Sequence, residues 1–145
     1  MSTLDSGLPE HVGDEEYLAR FLTQSNQYTA TVVKPAAFLP SVKGRETSVS
    51  RHGREPEERL WSIGAEAAGA RNLHGVAILK ARAVRDAQLD VLAAEPPPYH
   101  AAIRGWPWIE ADPALQKARQ KALALQLVSS AGAPLLRNEV QRSPV

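Results

Sequence analysis

Cysteine is absent from the 145 residues, which removes disulfides, thiolate nucleophiles and cysteine-ligated metals together. The four histidines, His11, His52, His74 and His100, form neither a His-x-His nor a His-Glu-x-x-His arrangement, so no local metal motif exists. There is no Gly-x-Gly-x-x-Gly, no phosphate-binding loop with its Lys and Ser/Thr, and no Gly-x-Ser-x-Gly elbow. Nothing in the sequence therefore calls for a cofactor. No run approaches eighteen apolar residues and no charged-then-apolar leader opens the chain, so the expectation is a soluble, cytoplasmic protein without a membrane partner. A strong charge of either sign is also missing. The formal net charge of +1 creates no global field that selects nucleic acid.

What is present suits one domain, with 43% hydrophobic residues to build a core. The small net charge hides an asymmetry: residues 1–30 sum to −4 and residues 31–145 to +5. Residues 1–13, broken by Gly7, Pro9 and Gly13, read as a flexible arm. Asp14 can cap a short helix running to about Asn26, with Tyr17, Leu18, Phe21 and Leu22 as its apolar stripe. Residues 27–33 have strand composition, and residues 36–39 can continue as an edge strand beyond Pro35. Residues 46–51 read as a strand with Thr47, Val49 and Arg51 on one face. Pro56 then opens a helix reaching Asn72, whose stripe is Leu60, Ile63, Gly64, Ala67 and Ala68. Residues 75–85 and 89–94 read as the two strands of an antiparallel hairpin. The last helix is capped by Asp112, carries Leu115, Ala118, Ala122 and Leu125 as its expected core stripe, and stops at Gly132. Residues 133–145 read as a loose tail. The resulting expectation is an α+β domain over residues 14–132, with an antiparallel or mixed sheet of four or five strands and three helices on one side.

The most distinctive stretch is residues 95–108, Glu-Pro-Pro-Pro-Tyr-His-Ala-Ala-Ile-Arg-Gly-Trp-Pro-Trp. Three successive prolines fix φ and remove three backbone donors, after which Tyr99 to Arg104 can resume as a strand. Alternation puts Tyr99 and Ile103 on a core face and His100 and Arg104 on the other, about 13 Å apart. With Trp106 and Trp108 they form a candidate binding ledge. A second candidate is the basic turn Arg51-His52-Gly53-Arg54 before the helix that Pro56 opens, where guanidiniums and backbone N–H groups can hold a phosphate.

These features support two readings. The first is a small non-enzymatic interaction subunit or adaptor whose basic and aromatic face docks a protein partner or a nucleic acid. That face comprises Arg51, His52, Arg54, Tyr99, His100, Arg104, Trp106 and Trp108. The alternative is a small enzyme acting on a phosphate-bearing or nucleotide substrate, with His100 as general acid or base and Arg51 stabilising the anionic charge. A concave pocket around His100 favours the enzyme, and a flat face with exposed aromatics favours the adaptor. The blocks Thr47-Ser48-Val49-Ser50-Arg51, Leu60-Trp61-Ser62-Ile63-Gly64 and residues 95–107 resemble a set of small uncharacterised bacterial proteins with a Pro-rich His-Ala-Asn-Ile-x-Gly-Trp-Pro segment. The resemblance covers roughly residues 27–130, with Ala102 in the Asn position, and implies no particular activity.

Overall fold

The computed structural model describes residues 4–51 and 56–137. Its sheet contains β1 (Tyr17–Leu22), β2 (Thr47–Arg51), β3 (Gly75–Lys80), β4 (Asp90–Ala93), β5 (His100–Arg104) and β6 (Leu135–Leu136). The strand order is β4-β5-β2-β1-β3-β6 and every pairing is antiparallel. Three helices accompany it, α1 (Glu57–Ala68), α2 (Ala81–Asp86) and α3 (Pro113–Ala131). The fold is thus α+β, with six strands in place of four or five; the two-residue β6 pairs with Gly75 and Val76 of β3.

Apolar residues lie on both faces of the sheet, so helices cover both rather than one. On one face α1 brings Leu60, Trp61 and Ala68 against Ala19, Phe21 and Val76. On the other, Ala124 and Leu127 of α3 close over Leu18, Leu22, Val49, Leu79, Ala101 and Ile103. This explains the first departure from expectation. Residues 17–22 are a strand, not a helix, because a central strand buried on both faces loses its period of two. Leu18, Ala19, Phe21 and Leu22 are all buried, and that spacing imitates a helical stripe.

The second departure lies at residues 81–86, which form α2 instead of prolonging β3. Alanine and arginine favour helix, and Ala81, Val84 and Ala87 are buried together at helical spacing. The expected hairpin is therefore not made: β4 pairs with β5, as Val91 opposite Ile103 and Leu92 opposite Ala102. Third, residues 27–39 hold no strand. Two 3₁₀ turns, Ser25–Gln27 and Pro35–Ala37, flank an isolated Tyr28–Val33 bridge. Fourth, α3 is rotated. Its inward residues are Gln120, Ala124 and Leu127, while Leu115, Ala118, Ala122 and Leu125 are exposed. Gln120 donates to the Pro107 carbonyl at 2.8 Å and Gln116 accepts from the Ile109 N–H at 2.6 Å. The inward face thus carries polar residues that satisfy a loop backbone, which disguises it in the sequence.

The ends of the chain are also tied in further than the expected boundaries of Asp14 and Gly132. Val12 is buried in the larger core, and the Ser6 hydroxyl donates to Glu95 at 2.5 Å. Residues 4–13 therefore pack on the domain. Beyond β6, residues 138–145 lie outside the described residues.

Two arrangements carry measurable consequences. A Cβ at Gly64 would stand 2.6 Å from the Phe21 ring and 2.9 Å from Leu73 Cδ2, so Gly64→Leu forces α1 off the sheet. It should lower unfolding free energy by about 1–3 kcal/mol in urea titration; an unchanged midpoint would contradict the close approach of α1 to β1. The Arg51 side chain is fully buried and pairs with Glu16 through two bonds of 2.7 Å. Removing it takes the guanidinium from Glu16 and the donors from the carbonyls it holds. Arg51→Met should cost about 3–5 kcal/mol in the same assay.

Candidate functional site

The β1–β2 ladder is short. Only Leu18–Arg51 and Ala19–Ser50 pair, after which the strands separate. Arg20 fills the opening. Its Nε donates to the Ala37 carbonyl at 2.6 Å and its Nη1 to the Ser48 carbonyl of β2 at 3.0 Å. Nη2 has no partner among the described residues. Below the opening, on the α1 side, lies a pocket of about 260 Å³. Its polar lining comes from Arg20, Ser48, Ser50, Arg71, His100 and Thr23. Phe21, Val49, Ala67, Ala68 and Pro97 complete it.

Each polar group is held by local structure. Arg71 follows α1 and donates from Nε to Ala68 O and from Nη2 to Ala67 O, both at 3.1 Å. A guanidinium at a helix C-terminus complements the carbonyl end of the helix dipole, and here Nη1 has no partner among the described residues. Ser50 lies directly across from His100 in the β2–β5 ladder, so both share the pocket face. The His100 Nδ1 lies 3.0 Å from the Ala94 carbonyl. A carbonyl only accepts, so Nδ1 carries the proton and the neutral ring keeps its lone pair on Nε2.

Several cations elsewhere are paired with carboxylates. Arg51 pairs with Glu16, Arg85 with Asp14 and Asp90, Arg104 with Glu46, and Lys80 and Arg82 with Glu15. Arg20 and Arg71 have no carboxylate partner among the described residues. Burial, reinforced by the charge of Arg71, holds the Arg20 pKa down to about 10, so it is still cationic at neutral pH. Two like charges are therefore kept at one pocket without a counter-ion. Glu95, just outside, behaves oppositely. Burial pushes its carboxyl up, but hydrogen bonds from Ser6 and from the Tyr99 N–H, with the charge of Arg51, pull it below the usual range.

Of the residues singled out in the sequence that are described, only His100 lines this site. Arg51 follows Ser50 along β2 and so points to the opposite face, where its Nη1 donates to Pro9 O at 2.8 Å and its Nη2 to His11 O at 3.4 Å. His100 and Arg51 do not meet. Arg104 is exposed and bonded to Glu46 at 3.4 Å. Tyr99, at φ +72°, precedes β5 and contacts Arg59 through both its hydroxyl and its ring face. Trp106 is 4% exposed and belongs to the core, so it offers no contact surface. Trp108 is half-buried beneath Arg45, whose guanidinium carbon lies 4.9 Å from the ring centre. His52 and Arg54 lie outside the described residues. Among those described, no cluster of three His, Asp or Glu could hold a metal, and no helix is long and apolar enough to cross a membrane.

Arg20 and Arg71 did not stand out in the sequence. Arg20 had one signal, a lone cation inside Tyr-Leu-Ala-Arg-Phe-Leu, where Leu18, Ala19, Phe21 and Leu22 all belong in a core. Arg71 had none beyond standing after a helix. Neither protein-family models, nor curated proteins, nor solved structures provide a match to this chain, and the functional reading rests on the geometry of the pocket.

Proposed function

We propose that the protein binds a small phosphate-bearing molecule in the pocket between β1, β2, β5 and the C-terminal end of α1. The observation that carries this reading is the pair of uncompensated guanidiniums, Arg20 and Arg71, facing one cavity. Each bonds two backbone carbonyls and, among the described residues, keeps a terminal nitrogen free, an arrangement suited to gripping one polyoxygen anion from two sides. A dianion balances both charges, whereas a monocarboxylate leaves one uncompensated. The hydroxyls of Ser48, Ser50 and Thr23 add neutral donors at the same wall.

The cavity, at about 260 Å³, lies at the small end of ligand sites and suits a phosphate with a compact body. His100 presents Nε2 as its uncommitted ring nitrogen. That atom accepts a hydrogen bond from a protonated phosphate oxygen or a ligand hydroxyl, and as imidazolium donates one. The enzyme reading thus keeps His100 and exchanges Arg51 for Arg20 and Arg71.

Titration calorimetry with inorganic phosphate at low ionic strength tests the reading. The wild type should bind phosphate more tightly than acetate. Arg71→Gln, at an exposed position, should lower stability by no more than about 1 kcal/mol, the scale of its contacts with the α1 carbonyls, and weaken phosphate binding about tenfold or more, the scale of a charge-assisted hydrogen bond. Arg20→Met should lower both binding and stability, because the same side chain bridges Ala37 and Ser48. Absence of phosphate binding, or equal binding by Arg71→Gln, would contradict the proposal.

A further inference from the structure

The outward side of α3 is more apolar than a solvated helix face needs to be. Leu115, Ala118, Ala122 and Leu125 are all exposed, with Leu115 at 39% and Leu125 at 48%. They lie across the helix from Gln120, Ala124 and Leu127, which face the core. Their spacing of three, four and three residues is that of successive a and d positions in a heptad. In that register Arg119 falls at e and Lys121 at g, one cation on each flank of the apolar line. Pro113–Ala131 contains no carboxylate, and neither cation has an ion-pair partner among the described residues. Beside the line, a groove of about 400 Å³ runs between α3 and the end of β5, lined by Gly105, Pro107, Ala87 and Leu123, with Ala122 and Arg119 on its edge.

We propose that this face of α3 docks an amphipathic helix of a partner protein whose apolar seam is flanked by acidic residues. The small Ala118 and Ala122 permit close approach of the two helices, and Leu115 and Leu125, about 15 Å apart along the axis, anchor the ends. The charge pattern selects the partner. A second copy of this chain would bring Arg119 and Lys121 against the same cations in either orientation, which is repulsive. Glutamate or aspartate at the partner's e and g positions would instead neutralise both. The groove beside Ala122 receives a protruding apolar side chain from the partner helix. This surface is separate from the Arg20–Arg71 pocket, and neither proposal depends on the other.

The test uses the full chain and two synthetic helical peptides of three heptads, both with Leu at a and d, one with Glu at e and g and the other with Lys. Fluorescence anisotropy should show binding of the Glu peptide and none of the Lys peptide. Leu125→Glu should weaken the Glu peptide about tenfold or more without altering the melting temperature, as expected for an anchor at an exposed position. The double variant Arg119→Glu and Lys121→Glu should reverse the preference, binding the Lys peptide and rejecting the Glu peptide. Failure of the Glu peptide to bind, binding that survives Leu125→Glu, or a double variant that keeps the original preference would each overturn the proposal. So would a wild-type dimer in light scattering that Leu125→Glu dissociates, which would assign the seam to a second copy. Wild-type binding to phosphatidylserine-containing vesicles that is lost in Leu125→Glu would assign it to a lipid surface and overturn it equally.

Discussion

The Arg20 guanidinium occupies the opening where β1 and β2 part. β1 and β2 share two residue pairs and then diverge, and the carbonyl of Ser48 would face the gap without a donor. Arg20 supplies that donor and simultaneously reaches Ala37 in the turn that packs beneath α3. A planar group whose donors are spread over three nitrogens suits this span, where an ammonium or an amide would present all its donors from one nitrogen. The same geometry forces a positive charge into a half-buried position. The strand opening, the Ala37 turn and the pocket charge thus meet at a single side chain.

Two arginines within the same pair of strands meet opposite fates. Arg51, fully enclosed, is neutralised by Glu16 and saturated by backbone carbonyls, so its charge is consumed in holding residues 9–16 to the sheet. Arg20 keeps its charge and, among the described residues, a free nitrogen. Stability demands the first arrangement, because a buried unpaired charge costs several kcal/mol. The second carries a standing cost that a bound anion would relieve, and the adjacent Arg71 increases it. Uncompensated charge at a cavity is a property expected of a binding site rather than of scaffolding.

Much of the fold was legible where one cause dominated. β2, α1 and β5 follow from alternation, from Pro56 with Glu57 and Glu58, and from the chain's recovery after three prolines. The extent of α3 followed from Asp112, whose carboxylate accepts from the Leu115 N–H at 3.0 Å, and from Gly132. The face of α3 did not follow, because Gln116 and Gln120 point inward to serve the Ile109–Pro107 backbone while alanines and leucines point outward. β1 was misread because burial on both faces erases alternation. Of the site, His100 and its face were readable from strand parity. Its partners were not, since Arg20 and Arg71 reach the pocket only through the splaying of β1 from β2 and the end of α1. Both are tertiary facts with no spacing in the sequence. The tryptophans misled for a simpler reason: Trp106 looks like a binding residue in composition but is enclosed by the core.

The account stands most directly on where an anion sits. A crystal structure of the protein grown with selenate, located by its anomalous scattering, answers that without reference to any activity. The geometry predicts a single strong selenium peak placed so that the selenate oxygens accept hydrogen bonds from Arg20 Nη2 and Arg71 Nη1, on the same side of the sheet as His100. An empty pocket with selenate bound elsewhere, or Arg20 and Arg71 turned away to pair with carboxylates, would contradict the central claim that this cavity is built around uncompensated positive charge.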